Sequence, residues 1–361
     1  MKAYLRLKKI SCLKREKKIK MKKLSFFNKI MWFLNVITTL TLFLACIVPY
    51  TSIASLAFIS LAVPVLVLFN MLFFLYWLIG RKINMLLSLS VLIYGYITLG
   101  SFIAFNGRSN EKLEEDTISL LSYNSLGFHS KHQNEWEKIT SPDVVQFIEG
   151  ENPDIIYFQE FEPFYLKDEM LKDYPFKANK FEVKNGESSK NLAIFSKYKI
   201  IGNGELDFPN TFNGGVYADI VFKGDTIRFY NLHLESLSIR PNYIKKERSD
   251  KLFVRLRDSF DKQDRQSNLV KEHIESSPYP VIVGGDFNNT QFSKVYFNIK
   301  GNLKDSFLEA GHGYGETIKF WKFPFRIDMI LTDPSFEVVS HKNYKINISD
   351  HEPIMATVKI P

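Results

Sequence analysis

The chain has 361 residues, 45% of them hydrophobic, and a formal net charge of +8. That length exceeds one small domain, and the charge is unevenly split: residues 1–106 carry 14 Lys and Arg against a single acid, Glu16, while residues 107–361 carry a net −5. The acidic larger part excludes a broad basic nucleic-acid footprint and leaves room only for a local basic groove; with cysteines only at 12 and 46, a disulfide framework beyond residue 106 is excluded too.

The first 29 residues hold a dozen Lys and Arg. Three apolar runs come next, at about 30–48, 54–80 and 84–105, with no Asp, Glu, Lys or Arg in their interiors. Each is long enough to cross about 30 Å of hydrocarbon, which takes about 20 helical residues. The pattern predicts three transmembrane helices. Pro49 marks the first turn and Gly80-Arg81-Lys82 the second, while Pro64 is tolerable within a membrane helix and can kink it. Trp32, Tyr50 and Trp77 suit an interfacial belt.

The basic tail 1–29 and the Arg81-Lys82 turn are cytoplasmic under the positive-inside rule, which puts the uncharged 49–53 turn and everything after 105 outside. The expectation is a multi-pass protein of the plasma or inner membrane. A nucleic-acid-binding arm is the other reading of the tail, disfavoured because the tail abuts a span. Two further spans argue against a cleaved signal peptide. Met21-Lys22-Lys23 also resembles an initiation site, in which case residues 1–20 precede the native start. Residues 106–116 read as a polar linker reaching at most about 35 Å when extended, so the chain from 117 onward is held near the bilayer.

Beyond that linker the pattern is mixed. Short β-rich runs are predicted at 117–123, 154–160, 191–196, 216–222, 226–233, 280–286, 326–332, 335–340 and 353–360, with Lys223-Gly224-Asp225 as a hairpin turn. Helices are predicted at about 140–150, 163–172 and 248–276, the last from the spacing of Leu252, Leu256, Phe260, Leu269 and Ile274. Strands interleaved with helices indicate an α/β sandwich of sheets flanked by helices.

Polar residues stand where several of these runs stop. Asp286 and Asn288 follow Val281-Ile282-Val283; Gln159-Glu160 follow Ile155–Phe158; His233 follows Phe229–Leu232; Ser349-Asp350-His351 follow Tyr344–Ile348. Strand ends are where α/β scaffolds place chemistry. Hydrolysing a phosphate ester needs a cation against the phosphoryl oxygens, a group that activates water, and donors for developing charge. The carboxylates Glu160, Asp286, Asp328 and Asp350, the amides Asn124 and Asn288, and the imidazoles His233 and His351 supply such a set. Hard oxygen ligands suit Mg²⁺, with Mn²⁺ as the alternative, rather than Zn²⁺. A structural role is open for several: Asn124 as the cap of the 125–127 turn, Asp328 as a strand-end turn former, His233 as a packed core histidine. His129, His132, His273, His312 and His341 match no pattern.

From about 117 to 361 the chain resembles the endonuclease/exonuclease/phosphatase (DNase I-like) superfamily, and its layout resembles bacterial membrane-anchored members. The resemblance rests on strings in family order: Ser122-Tyr123-Asn124, Gln159-Glu160, Asn191–Ser196, Asn231-Leu232-His233-Leu234, Gly285-Asp286-Phe287-Asn288, Arg326–Ile330 and Ser349-Asp350-His351. It implies a four-layered α/β/β/α sandwich. It also implies that Glu160 is the principal metal ligand, with Asn124 close to the metal and Asp350 completing its environment. Asp286 orients or deprotonates water, Asn288 holds the phosphate, and His351, paired with Asp328, contacts the phosphate while charged. His233 donates to a phosphate oxygen or assists the leaving group. Thr317 falls in a loop that resembles one bordering the family's active site. Residues 197–215 and 234–265 are where such proteins vary; Arg240, Lys245, Lys246, Arg248, Arg255 and Arg257 in the second either grip a phosphorylated headgroup or face solvent.

The expected function is therefore hydrolysis of a phosphate ester or pyrophosphate by a metal-dependent enzyme anchored in the bilayer, with a membrane lipid as candidate substrate. A tethered nuclease is the second reading and a non-catalytic binding domain the third. No protein partner is evident in the sequence.

Overall fold

The computed structural model describes residues 25–51, 54–101, 103–106, 116–131, 138–167, 169–180, 183–184, 187–188, 191–238, 248–320 and 323–361. Most of the basic tail, most of the 106–116 linker, His132, and Arg240, Lys245 and Lys246 lie outside the described residues.

The N-terminal part is a bundle of three apolar helices, α1 (Phe26–Ile47), α2 (Val63–Ile79) and α3 (Met85–Leu99). Ser25 caps α1 by accepting from the Asn28 amide. A one-turn helix, Ala54–Ala57, and a 3-10 stretch, Phe58–Ala62, lead into α2. Pro64 sits in the first turn of α2, where a missing N–H leaves no intrahelical bond unmade. Two stretches, Phe26–Tyr50 and Phe58–Ile79, are long and apolar enough to cross a membrane. The third expected span, 84–105, is shorter than its apolar composition predicts. Gly100, at φ +78°, ends the helix after 15 residues, and Ala104–Phe105 leave it to pair with His312–Gly313. Asn35, Thr39, Asn70 and Ser88 hydrogen-bond to one another at the centre of the bundle, tying the three helices together.

The rest is a sandwich of two six-stranded sheets. The first runs β11-β12-β1-β2-β4-β3, with β1 Thr117–Asn124, β2 Ile155–Gln159, β3 Phe176–Lys180, β4 Leu192–Ser196, β11 Glu337–Asn343 and β12 Ile354–Lys359. The second runs β9-β10-β8-β7-β6-β5, with β5 Ile200–Asp207, β6 Gly214–Phe222, β7 Asp225–His233, β8 Val281–Asp286, β9 Lys304–Asp305 and β10 Asp328–Thr332. Each sheet is mixed: β1 and β2 are parallel, as are β7 and β8, and the other pairs are antiparallel. The core between the sheets is built from alternate residues such as Leu120, Tyr157, Ile194, Ala218, Phe229, Ile282 and Ala356.

The outer faces are covered by helices. Val144, Val145 and Ile148 of α4 (Ser141–Glu151) pack on the first sheet, and Val270 of α5 (Ser249–Glu275) with Val295 and Ile299 of α6 (Lys294–Lys300) packs on the second. The layers are therefore α/β/β/α. Among the described residues of 163–172 the expected helix is absent: Pro163–Tyr165 forms a 3-10 turn, and Leu171 adopts φ +55°, which a right-handed helix cannot contain. Its apolar side chains still serve the core, with Tyr165, Leu166 and Leu171 packed beneath α4.

Under the second sheet the Arg326 guanidinium grips both oxygens of Asp305, at 3.0 and 2.7 Å, with both side chains buried. Burial alone would raise the Asp305 carboxyl, but the Arg326 charge outweighs it and holds the group below the usual carboxylate range. A carboxyl depressed on folding contributes stability at pH values above its unfolded value, about 4, and loses that contribution as pH falls through the lower folded value. Arg326→Met leaves Asp305 buried and unpaired. It is expected to cost about 3–5 kcal/mol in chemical unfolding of the detergent-solubilised chain at neutral pH, with a smaller cost near pH 3 once Asp305 is protonated.

Candidate active site

Strand register assembles the site. His233, the last residue of β7, pairs with Asp286, the last of β8, and Asp286 pairs in turn with Asp328, the first of β10. On the facing sheet Asn124 and Gln159 end the parallel strands β1 and β2 side by side, and Glu160 comes next at φ +49°. The polar ends of both sheets therefore meet over one end of the apolar core. Gly285 makes the bend before Asp286 possible. Its φ is +127°, and a Cβ there would lie 2.1 Å from the Leu232 carbonyl oxygen.

Asp286 is the hub, 1% exposed. Its Oδ1 accepts from the Asn288 backbone amide at 2.8 Å, which fixes the carboxylate plane. Its Oδ2 faces three groups: Asn124 Nδ2 donates at 3.1 Å, His233 Nε2 lies at 3.5 Å, and His351 Nε2 at 3.7 Å. Glu160 Oε1 is 3.9 Å from the same nitrogen of His233. Asn288 Nδ2 donates to the Leu234 carbonyl, so this amide also braces the loop after the strand.

His351 Nδ1 lies 3.0 and 3.3 Å from the two oxygens of Asp328. Burial works against a charged imidazole, but the Asp328 and Asp286 carboxylates outweigh it and hold His351 protonated well above the ordinary histidine range. Nδ1–H then donates to Asp328 and Nε2–H points at the hub. Burial, followed by the like charge of Asp328, raises the Asp286 carboxyl against the opposing pull of His351 and His233. A carboxylate of raised basicity beside an imidazolium is a base–acid pair suited to proton transfer.

The expected residues fall into an inner group and a rim. Asn124, Glu160, His233, Asp286, Asp328 and His351 converge. Asn288 lies beside them, and Asp350 stands partly exposed at the rim, where its charge adds to the field on His351. Thr317 has a definite role: its hydroxyl accepts from the Ile327 and Asp328 amides and its carbonyl accepts from the Glu352 amide, clamping the segments that carry Asp328 and His351. Of the histidines that match no pattern, His273 and His341 are tied to Tyr230 and Ser306, away from the hub.

Ligand atoms of Asp286, Asp328 and His351 all lie within 4.8 Å of one another. While His351 is charged and bonded to Asp328 it is a donor, not a ligand. The oxygens of Glu160, Asp286 and Asn124 remain as hard donors, and a buried carboxylate whose pKa is raised is the kind of group a divalent cation stabilises. The chemistry of the donor set fits Mg²⁺ or Mn²⁺.

Three residues that matter for this geometry, Gln159, Asn231 and Tyr123, carried no assigned role in the sequence. Gln159 Nε2 donates to Asn231 Oδ1 at 2.6 Å and to Ser122 Oγ at 3.2 Å, and Asn231 Nδ2 donates to the Phe158 and Ala193 carbonyls. This buried network ties the two sheets together directly beneath the hub. Its signal was visible as amides interrupting otherwise apolar strands. Tyr123 likewise accepts from the Ser349 amide and anchors the loop that presents His351.

Residues 121–351 match the family model described as Endonuclease/Exonuclease/phosphatase family, and residues 28–102 match a domain of unknown function, DUF8431. Among solved structures, an endonuclease/exonuclease/phosphatase from Beutenbergia cavernae is 16% identical with a TM-score of 0.54, covering 68% of this chain and 72% of that one. An endonuclease/exonuclease/phosphatase family protein from Bacteroides thetaiotaomicron is 20% identical with a TM-score of 0.50, covering 69% and 100%. D. rerio TDP2 complexed with a single-strand DNA product is 17% identical with a TM-score of 0.51, covering 68% and 100%. Identities this low speak to the fold. A comparison with curated proteins finds no match.

Gly285→Ala is expected to destabilise the protein by about 3 kcal/mol or more, through the collision with Leu232 and the positive φ. Chemical unfolding of the full chain in detergent measures it; a change within about 0.5 kcal/mol would show that the bend relaxes freely.

Proposed function

The chain belongs to the endonuclease/exonuclease/phosphatase family, whose members hydrolyse phosphate esters, and on that premise we propose that it is a metal-dependent phosphoesterase anchored in a membrane, its site extracytoplasmic and its substrate a lipid-linked phosphate or pyrophosphate. The observation that carries the catalytic reading is the Asp286 hub: one carboxylate oxygen of raised basicity faced by Asn124, His233 and a charged His351.

Asp286 takes a proton from the attacking water as its oxygen forms a bond to phosphorus. His351, oriented by Asp328, donates through Nε2 to a non-bridging phosphoryl oxygen, where negative charge builds up. His233, whose Nε2 lies 3.9 Å from Glu160, gives a proton to the leaving oxygen as the ester P–O bond breaks. Asn288 and Asn124 hold the phosphate and the hub in register. A divalent cation held by Glu160, with Asn124 and Asp350 near it, would offset the charge of the phosphoryl oxygens.

The membrane reading is supported by the surface of the helices. Most of the exposed large apolar side chains among the described residues belong to residues 26–105, including Phe33, Leu40, Leu68, Leu72 and Ile97, a belt suited to lipid rather than water. Lys29 and Arg81-Lys82 lie at the end of the bundle away from the catalytic domain, whereas Tyr50 and Ser101 touch that domain. This polarity fits a basic cytoplasmic end and an extracytoplasmic site.

The full chain, reconstituted in phosphatidylcholine vesicles with Mg²⁺, is expected to release phosphate or headgroup from lipid phosphates and to stop when the metal is chelated. Asp286→Ala and His351→Ala are each expected to lower turnover about 100-fold or more. Nicking of supercoiled plasmid with the same dependence, and no lipid turnover, would replace this reading with a tethered nuclease. A reporter at the C-terminus that is active only in the cytoplasm would overturn the orientation.

A further inference from the structure

Away from the N-terminal helices, exposed large apolar side chains are scattered among the described residues, except for one adjacent pair. Phe253 and Val254, each 46% exposed, sit in the first turns of α5, whose last turns are far from this end. Phe253 lies against Phe58, which is itself 43% exposed and opens the stretch Phe58–Ile79 that is apolar enough to cross a membrane; the ring centroids are 6.2 Å apart, edge to face. Between them is a cavity of about 220 Å³ walled by Phe58, Leu252, Phe253, Leu256 and Phe260, with Arg257 at its edge. A span begins at this level, so the cavity opens where hydrocarbon gives way to headgroups.

The next face of α5 lines a second cavity, about 570 Å³, whose walls carry charges of both signs. Lys251, Arg255 and Lys262 reach it from the helix together with Asp250 and Asp258, and Glu235 and Ser236 form the opposite wall. Glu235 is two residues beyond His233, and Lys262 Nζ bonds to it at 3.0 Å. Val254 belongs to this second wall while its neighbours Leu252 and Phe253 wall the first, so a single helix separates the two cavities. From His233 through Glu235 to the charged cavity, and across α5 to the apolar groove, the surface changes in the order in which a lipid phosphate does, from phosphate through its polar linkage to hydrocarbon. Of the basic residues that the sequence left open, Arg255 donates to the Leu237 carbonyl at the charged cavity, while Arg248 and Arg257 make exposed ion pairs with Asp250 and Asp258.

We infer that the groove between Phe58 and the start of α5 is the subsite for the hydrocarbon chain of the substrate, and that the protein selects phosphates carrying a long alkyl chain over soluble ones. This rests on the lipid-phosphoesterase reading and adds the place where the tail is held. Apolar walls discriminate by chain length because each buried methylene contributes about 0.8 kcal/mol.

Two readouts on the full chain in phosphatidylcholine vesicles test it. In the first, phosphatidic acid with a photoactivatable diazirine at the end of one acyl chain is irradiated and the adducts are mapped by mass spectrometry. Adducts are expected on residues 249–260, displaced by dodecyl phosphate and not by ethyl phosphate. In the second, rates on the p-nitrophenyl esters of dodecyl and ethyl phosphate are compared. The dodecyl-to-ethyl ratio is expected to fall about tenfold in Phe253→Asp, which puts charge in the groove, and in Phe253→Trp, which fills it. Adducts spread over residues 26–99 and indifferent to dodecyl phosphate would overturn the inference, as would a ratio unchanged in both variants. Displaceable labelling of 249–260 without hydrolysis of any ester would support the groove and sink the phosphoesterase reading instead.

Discussion

A carboxylate removed from water must be answered by donors or cations, and the arrangement around Asp286 follows from that requirement. The answering groups come from both sheets: Asn124 from the first, His233 from the neighbouring strand of the second, His351 from the loop before the last strand. Neither sheet can supply the set alone. The two must therefore be locked in register at this end, and the Gln159–Asn231–Ser122 network does so with amides that cannot shift without losing several buried hydrogen bonds at once. Asp328 fixes His351, and Thr317 fixes the backbone of Asp328. Each outer residue constrains the one inside it.

Much of this was legible in the sequence because strand ends announce themselves. Parallel strands buried on both sides read as apolar runs, and a polar residue where a run stops, such as Asp286 or His233, marks the end of the sheet where α/β scaffolds place chemistry. The observed strands β1, β2, β4, β6, β7, β8, β10, β11 and β12 lie within a few residues of the predicted runs for this reason. Strands β3, β5 and β9 were missed: Phe176–Lys180 has little apolar content, Ile200–Asp207 carries two glycines, and Lys304–Asp305 is two polar residues. The failure at 163–172 has a different cause. Its composition is helical, but Tyr165, Leu166 and Leu171 are drawn individually onto the core beneath α4, and tertiary burial overrode local propensity. The length of α3 was misjudged because hydropathy does not register a left-handed glycine.

What the sequence could not show was how the helical bundle meets the catalytic domain. The contact is formed by residues just past the catalytic loop. Phe292 is buried among Leu42, Val48, Val63 and Leu99 of the bundle, and Phe297 stacks near Tyr50. Gln291 donates to the Ser101 carbonyl and accepts from Arg326, two residues before Asp328. The loop that follows Asp286 thus rests on the bundle through Gln291 and Phe292, and Gln291 links it to Arg326 ahead of Asp328. The bundle is part of the scaffold that holds the site, in addition to whatever it does in lipid.

That seating changes the kind of search the protein conducts. A domain on a slack tether samples a hemisphere of solution and meets soluble molecules and membrane molecules alike. A domain seated on its helices through Phe292 and Gln291 keeps one face turned toward the plane from which those helices emerge. With those helices in a bilayer, as proposed, its encounters would be two-dimensional, governed by the mole fraction of a molecule in the surface and by lateral diffusion, and diluting the surface with inert lipid would slow it where diluting the bulk would not.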